Sequence, residues 1–237
     1  EAGRLLGPFQ KPPYDEYKIT PISVREKSTP GKFRLLHNLS YPYDDRSVNL
    51  GIPQEFTTVQ YAGIHDAITL IQEIGDGCSM AKSDIANAFR LVPIHPSQHH
   101  LMGFKWREMY YFDKFLAMGL SEACRIFETV SDALIHILKY KHSVTNVVKV
   151  LDDFLFCEST KEKCKTSLQI FIDLADNLGF PIAKHKTTYE PMTSITFLGV
   201  QLDTKQMTAS LPTDKLERYT RHIAEILSHK TITVDNL

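Results

Sequence analysis

The chain has 237 residues, of which 43% are hydrophobic and 23% are charged, and its 27 basic and 28 acidic side chains leave a net charge of −1. This composition excludes disordered and collagen-like chains, and the lack of an apolar run of about 18 residues predicts no membrane-spanning segment. The near-neutral charge also argues against a protein that coats nucleic acid without sequence preference, because such binding depends on counterion release by clustered Lys and Arg.

The chain begins at Glu1, and no charged-then-apolar leader follows. We therefore expect a piece of a longer protein that is not secreted. The four cysteines form no CxxC pair and no zinc-ligand spacing, which favours reduced thiols in an intracellular protein of the cytoplasm or nucleus.

Residues 1–60 are rich in Pro and Gly and contain short extended runs, which predicts a loop-rich region with a small sheet. Basic residues cluster between Lys18 and Arg34, where Glu26 is the one acid. Since the whole chain is nearly neutral, the compensating acids must be concentrated elsewhere.

From residue 62 the pattern becomes regular and predicts a series of helices and strands. The first are a helix ending at Gly75-Asp76-Gly77, a strand from Cys78 to Asp84, a hairpin over Leu101 to Phe115 and a long helix from about Ser121 to Lys139. The later elements are strands Val147–Leu151 and Phe154–Cys157, a helix from a Ser159–Glu162 capping box to Gly179, a strand within Ile182–Glu190, a hairpin from Thr196–Leu202 and Met207–Leu211, and a helix after Pro212.

The element order from residue 78 is that of a split βαβ, ferredoxin-like unit. In that topology the first strand lies antiparallel to the third, so the end of the first strand adjoins the turn between the second and third. Asp84 ends the first strand, and Asp152 and Asp153 occupy that turn. The topology therefore predicts that three carboxylates meet at one sheet edge.

Two readings of these aspartates compete. An Asp-Asp turn is commonly structural because Asp bonds nearby amides, and Asp84 can equally cap a helix over 85–90. Three converging carboxylates, however, need a cation or a shared proton to offset their repulsion. Oxygen ligands favour Mg²⁺ or Mn²⁺, and two such ions about 3.5–4 Å apart suit phosphoryl transfer.

Short motifs in fixed order resemble those of reverse transcriptases. Those similar to palm motifs are Lys82-Ser83-Asp84-Ile85-Ala86-Asn87-Ala88-Phe89-Arg90, the segment 115–127 around Met118-Gly119-Leu120, Val150-Leu151-Asp152-Asp153, Leu178-Gly179-Phe180 with Lys186, and Phe197-Leu198-Gly199. Pro30-Gly31-Lys32-Phe33-Arg34 and Ser47-Val48-Asn49 resemble fingers motifs. The residue sequences around Arg34, Asp152 and Phe127 are most similar to those of DIRS-like retrotransposons of the tyrosine-recombinase type.

The resemblance implies an α+β right-hand polymerase fold. Its parts would be fingers (1–60 and 92–122), a ferredoxin-like palm (61–91 and 123–211) and only the start of a thumb or connection helix (212–237). It implies an RNA-directed DNA polymerase, a nucleotidyltransferase that extends a primer on an RNA or DNA template with deoxynucleoside triphosphates. Two Mg²⁺ ions, replaceable by Mn²⁺, are the implied cofactor, with ribonuclease H and a tyrosine recombinase elsewhere in the parent polyprotein or element.

The resemblance also implies roles for residues of the acidic edge. Asp84 and Asp152 would bridge both metal ions, with help from Asp153 and the backbone carbonyl of Ile85. Lys186 would protonate the departing pyrophosphate, although Lys184 is close enough to confuse the assignment and a surface lysine is the alternative.

Other residues would hold the nucleotide by the same resemblance. Arg34, with Lys27 or less favourably Arg25, would bind the triphosphate, the alternative being a solvated basic face. Phe89 would exclude a 2′-hydroxyl, with a core aromatic as the alternative. The residues expected beside it are Asn87, Ala88, Met118 and Gly119.

Several positions depart from the retroviral pattern without removing a metal ligand. They are Val150 for an aromatic, Met118 for glutamine, Ala117 and Cys124 for prolines, and Asn87 for an acid. A non-catalytic retroelement-derived module that binds nucleic acid or protein is the competing hypothesis. A two-metal hydrolase is a third, and no further ligands support it.

Overall fold

The computed structural model describes residues 3–26 and 31–228, which contain eleven strands and four α-helices. The strands are β1 (Leu5–Phe9), β2 (Ile22–Glu26), β3 (Phe33–His37), β4 (Ser79–Asp84), β5 (Gly103–Trp106), β6 (Met109–Asp113), β7 (Val147–Val150), β8 (Asp153–Glu158), β9 (Ser194–Phe197), β10 (Val200–Asp203) and β11 (Thr208–Ser210). The helices are α1 (Ile64–Ile74), α2 (Ala123–His142), α3 (Lys161–Asn177) and α4 (Thr213–Ser228).

A central antiparallel sheet has the strand order β4-β8-β7. Its alternating side chains point to two faces, as the period of a strand requires. Phe154 and Phe156 of β8 pack against α2 and α3, whereas Leu155 and Cys157 pack against α1 and the β9–β10 hairpin. Burial of each Phe or Leu side chain contributes about 1.5–3 kcal/mol to the free energy of folding, so packing on both faces holds the β4–β8 pair in place.

The predicted pairing of the first strand with the third is confirmed, because β4 runs antiparallel to β8 from Ser79 opposite Glu158 to Asp84 opposite Asp153. The strand predicted within Ile182–Glu190 is wrong. That segment contains a short 3₁₀ helix, Lys184–Lys186, and contacts β4 through two separate backbone hydrogen bonds, from the Ala183 N–H to the Asp84 carbonyl and from the Thr188 N–H to the Lys82 carbonyl. Pro181 and Pro191 border it and have no N–H to donate to a ladder.

Smaller differences have local causes. The predicted strand Thr196–Leu202 is folded in two, because Leu198 and Gly199 have φ of 46° and 79° and form a tight turn between β9 and β10. The predicted Ser159 cap is also wrong: Thr160 caps α3, and its side chain accepts the N–H of Lys163.

The segments predicted to be fingers supply two further sheets, with orders β1-β6-β5 and β2-β3. Beside them lies a third apolar cluster of Leu39, Ile94, Met102, Leu116, Ala117 and Ala123. Phe89 and Val92 pack against both this cluster and the core beneath α2 and α3. The division into fingers, palm and thumb start stays a prediction, and Phe89 and Val92 connect the apolar cores on the two sides of the predicted fingers–palm boundary.

Candidate active site

Asp84, Asp152 and Asp153, called here the acidic cluster, lie at one edge of the central sheet. Asp84 ends β4 and faces Asp153, the first residue of β8. The Ile85 N–H donates to the carbonyl of Asp152 at 3.0 Å, which ties the two chain segments together. Asp84 is buried and the other two aspartates are half-buried, so the carboxylates meet where little water screens them.

Burial and the repulsion of neighbouring carboxylates disfavour the charged forms of Asp152 and Asp153. Desolvation, followed by the charges of Asp152 and Asp84, raises the pKa of Asp153 to about 6. Desolvation and the charge of Asp84 also raise the pKa of Asp152. Both shifts are of the kind that a bound cation reverses.

Lys186 is the cation that contacts the cluster. Its Nζ lies 2.5 Å from Asp84 Oδ2, and the Ala183 N–H, which leads into the 3₁₀ turn, donates to the Asp84 carbonyl at 2.8 Å. Burial opposes the charged ammonium, but the bond to Asp84 and the charges of the cluster outweigh it and raise the pKa of Lys186. The structure thus separates Lys186 from its neighbour Lys184, for which no such contact is found among the described residues.

Arg34 approaches the cluster from the β2–β3 hairpin. It lies on β3 opposite Arg25. Burial and the charge of Asp84 raise the pKa of Asp152, and the positive charge of Arg34 partly opposes that rise. Lys27, the second predicted triphosphate ligand, lies outside the described residues.

A short turn after β4 carries three predicted nucleotide-binding residues. Exposed Asn87 adopts a left-handed conformation with φ of 59° and precedes a 3₁₀ helix that begins at buried Ala88. The ring of Phe89 is half-buried and packs edge-on against Phe127, with 5.9 Å between ring centroids. Phe89 therefore borders the core and the surface at once, which is compatible with both predicted readings of this residue.

The Met118–Gly119 segment is held tightly against β3. The Met118 carbonyl accepts the His37 N–H at 2.8 Å, and Gly119 has φ of 116°. A Cβ at position 119 would lie 1.8 Å from the His37 carbonyl oxygen, so a glycine is required here. Asn49 donates to the Gly119 carbonyl at 2.9 Å, which explains why Ser47-Val48-Asn49 accompanies this segment.

Two buried charged residues that sequence reasoning missed support the turn that carries Asp152. Leu151 has φ of 54°, and its N–H donates to Glu128 Oε2 at 3.0 Å. Lys149 Nζ lies 2.6 Å from Glu128 Oε1 and 2.7 Å from Asp132 Oδ1. The sequence feature that could have revealed this pair is Lys149, a charged residue within the otherwise apolar run Val147–Val150.

The acidic cluster does not form a closed metal cage. Within residues 3–26 and 31–228, no three His, Cys, Asp or Glu side chains are grouped so that they could hold a metal ion. Mg²⁺ commonly binds through one or two carboxylates together with waters and substrate phosphates. Oxygen donors with raised pKa values at an open sheet edge fit that second kind of site.

The described part of the chain has no helix that is long and apolar enough to cross a membrane.

Sequence comparison gives similarity to one family. The family model described as "Reverse transcriptase (RNA-dependent DNA polymerase)" matches residues 24–202. Protein P of duck hepatitis B virus (strain China) is 29% identical over 140 residues, which are 59% of this chain and 18% of that protein. The Gag-Pol polyprotein of Rous sarcoma virus subgroup B (strain Schmidt-Ruppin) is 22% identical over 190 residues, 77% of this chain and 11% of the polyprotein. The chain thus spans less than a fifth of the length of these relatives.

Solved structures show the same fold. The foamy viral protease-reverse transcriptase dRH in complex with double-stranded DNA superposes with a TM-score of 0.72 at 18% identity, over 99% of this chain and 36% of that one. The foamy viral protease-reverse transcriptase in complex with an RNA/DNA hybrid gives a TM-score of 0.66 at 17% identity, over 97% of this chain and 26% of the other. The predicted α+β polymerase fold is confirmed by this similarity.

Proposed function

This chain belongs to the reverse transcriptase family, and we propose that it is an RNA-directed DNA polymerase domain that extends a primer on an RNA or DNA template. The observation that carries the proposal is the convergence of Asp84, Asp152 and Asp153, with Lys186 bonded to Asp84. A solely structural Asp-Asp turn gives no reason for a third buried carboxylate opposite it.

Reverse transcriptases generally use divalent metal ions, and the proposed cofactor here is a pair of Mg²⁺ ions that Mn²⁺ can replace. Asp84 and Asp152 would hold them, with Asp153 and the Ile85 carbonyl assisting. When bound, the ions supply charge stabilisation to the attacking and leaving oxygens of the phosphoryl transfer.

The side chains around the acidic cluster have complementary roles in this proposal. Lys186, whose raised pKa keeps it protonated at neutral pH, donates a proton to the leaving pyrophosphate. Arg34 binds the triphosphate with its planar fork of donors, together with Lys27.

Phe89 selects the sugar of the incoming nucleotide in this proposal. Its edge-on contact with Phe127 limits its movement, so a 2′-hydroxyl on the sugar would collide with the ring. Asn87 and Ala88 in the same turn, and Met118 and Gly119 opposite, line the pocket. The neutral side chain of Asn87 also avoids repulsion of the triphosphate.

The proposed partner is a primer–template duplex, and the similar foamy viral structures, which contain double-stranded DNA and an RNA/DNA hybrid, support this proposal. The exposed basic side chains of the β2–β3 hairpin suit the phosphate backbone of that duplex; they are Arg25, Lys32 and Arg34.

The parent of this chain is assigned to a DIRS-like element, because the residue sequences of its motifs are most similar to that type. Ribonuclease H and a tyrosine recombinase would be encoded elsewhere in that element. The four cysteines are free, which supports action inside the cell.

Primer extension on an RNA template tests the proposal. The unmodified chain should incorporate deoxynucleotides with Mg²⁺, and Asp152→Asn should lower incorporation by at least about a thousandfold, since metal stabilisation of the transition state is worth several kcal/mol. Asp45→Asn is the matched control, because exposed Asp45 makes no hydrogen bond or ion pair with the described residues.

Extension that survives Asp152→Asn would contradict the proposal. Salt-dependent binding of primer–template without incorporation, in this chain and in its parent protein, would instead favour the non-catalytic module. Hydrolysis of a phosphodiester without nucleotide addition would favour a two-metal hydrolase.

A further inference from the structure

Arg90, Asp113 and His37 form a second group of ionisable side chains, called here the buried triad. Arg90 Nη1 lies 2.5 Å from Asp113 Oδ2, and His37 Nε2 lies 3.6 Å from the same oxygen. The side chain of Asp113 has no exposure and that of His37 has 1%, while that of Arg90 is 23% exposed and covers them from the outside. A buried ion pair is weak evidence for stability, because desolvation offsets much of the attraction. Its position in the fold is therefore the more informative property.

The ion pair joins the turn after β4 to the segment after β6. Arg90 Nη1 also donates to the carbonyls of Phe115 and Leu116, at 3.5 and 3.3 Å. Asp113 Oδ1 accepts the Phe115 N–H at 3.3 Å. Arg90 directly follows Phe89, so these bonds fix the place of the Phe89 turn relative to the chain that continues to Met118.

His37 joins the same segment to β3. The backbone N–H of His37 donates to the Met118 carbonyl, and the backbone carbonyl of His37 lies against Gly119. The His37 ring packs edge-on against Phe104, with 5.2 Å between ring centroids. Neither ring nitrogen has a hydrogen-bond partner among the described residues. Burial lowers the pKa of His37, with Asp113 opposing and Arg90 adding to the shift, so the ring is neutral at pH 7.

We propose that the buried triad positions the nucleotide-binding wall and thereby sets the affinity and sugar selectivity for the incoming nucleotide, an inference that rests on the function proposed above. Each member belongs to one backbone segment of that wall: Arg90 to the Phe89 turn, Asp113 to the strand leading to Met118, and His37 to the strand of Arg34. The acidic cluster lies at the ends of β4 and β8 and in the β7–β8 turn, and none of its side chains takes part in these bonds. Changes to the triad therefore alter nucleotide binding more than the chemical step.

The test is steady-state primer extension with deoxynucleotides and ribonucleotides, using two variants. The double variant Arg90→Met with Asp113→Leu removes both charges together and leaves neither unpaired. It should raise the KM for the deoxynucleotide about tenfold with kcat within about threefold, the pattern of lost binding shared by ground and transition states. Discrimination against ribonucleotides should fall. Arg90→Lys keeps the charge and should show a smaller rise in KM.

Arg107→Lys is the matched control, since this exposed arginine lies in the β5–β6 turn of the same sheet. Circular dichroism and thermal unfolding establish that each variant is folded. A folded double variant with unchanged KM and selectivity would overturn the proposal, as would a fall in kcat at constant KM. If the double variant does not fold, an unchanged KM in Arg90→Lys overturns it.

The unmodified chain separates this inference from the function on which it rests. Failure of that chain to extend any primer overturns the proposed function and the triad's role together. Normal extension with variants that retain the KM of the unmodified chain overturns the triad's role alone.

Discussion

The raised pKa of Asp153 makes the stability of the metal-free protein depend on pH. Its folded-state pKa of about 6 exceeds the ordinary value of 3.8, so the folded state binds the proton more tightly than the unfolded state. The resulting stabilisation is complete below about pH 3.8 and is lost as the pH rises through about 6. Asp153→Asn should remove this component and raise the Tm at pH 7 in EDTA.

Thermal unfolding between pH 4 and pH 8 checks this expectation, with Asp45→Asn as the control that keeps the pH profile of the unmodified chain. Mg²⁺ should raise the Tm of the unmodified chain more than that of Asp153→Asn, since binding to the folded state alone stabilises it. Identical pH profiles for Asp153→Asn and the unmodified chain would show that Asp153 does not titrate in this way.

The acidic cluster was predictable because topology alone dictates it. Alternation and turn residues located β4 and the Asp152-Asp153 turn, and the split βαβ order then required Asp84 beside them. The resemblance favoured Lys186, but the residues alone could not distinguish it from Lys184, because the contact with Asp84 depends on the short 3₁₀ turn that replaces the expected strand. Neither was the Arg90–Asp113 pair, since a buried ion pair between distant segments leaves no periodic signal.

The β7–β8 hairpin is the element that holds Asp152 and Asp153, and Glu128 of α2 supports it. Glu128→Gln keeps the volume and an acceptor for the Leu151 N–H but removes a charge from buried Lys149. We expect a loss of about 1–3 kcal/mol in the free energy of unfolding, measured by urea denaturation, and a lower kcat because Asp152 shifts.

Asp132→Asn is the matched control for Glu128→Gln, because Asp132 pairs with the same Lys149 Nζ but its side chain is 67% exposed. An exposed partner contributes at most about 1 kcal/mol. Equal losses in the two variants would contradict a special role of Glu128 in supporting the hairpin.

Elements with strong periodicity were predicted well, and one short segment without it was not. The apolar stripe through Phe127, Leu134 and Leu138 located α2 to within a few residues. The strand prediction for Ile182–Glu190 was wrong because the pattern of apolar and polar residues there suits an irregular extended segment as well as a strand. Only the flanking prolines argued against a ladder of hydrogen bonds. Backbone pairing with a neighbour cannot be read from one segment alone.

The net charge of −1 conceals two regions of opposite sign. Arg34 of the basic β2–β3 hairpin acts on the acidic cluster, because its charge helps to lower the pKa of Asp152 against the larger effect of burial. The three apolar clusters are likewise connected. Phe89 and Val92 pack both in the cluster beneath α2 and α3 and in the cluster around Leu39, and strands β4 and β8 contribute side chains both to the cluster beneath α2 and α3 and to the cluster against α1. This continuity favours one cooperative unit across the predicted fingers and palm.

Cooperative unfolding can be checked with two probes in different parts of the fold. Trp106, the one tryptophan of the chain, reports on the β1-β6-β5 sheet, whereas circular dichroism at 222 nm follows the four helices. Leu39→Ala empties a buried site beside that sheet and should cost about 2–5 kcal/mol, and Leu168→Ala does the same within α3. Because the clusters share side chains, each variant should lower the urea midpoint equally by both probes. A Leu39→Ala variant that shifts the fluorescence midpoint alone would mean that the predicted fingers unfold independently of the palm.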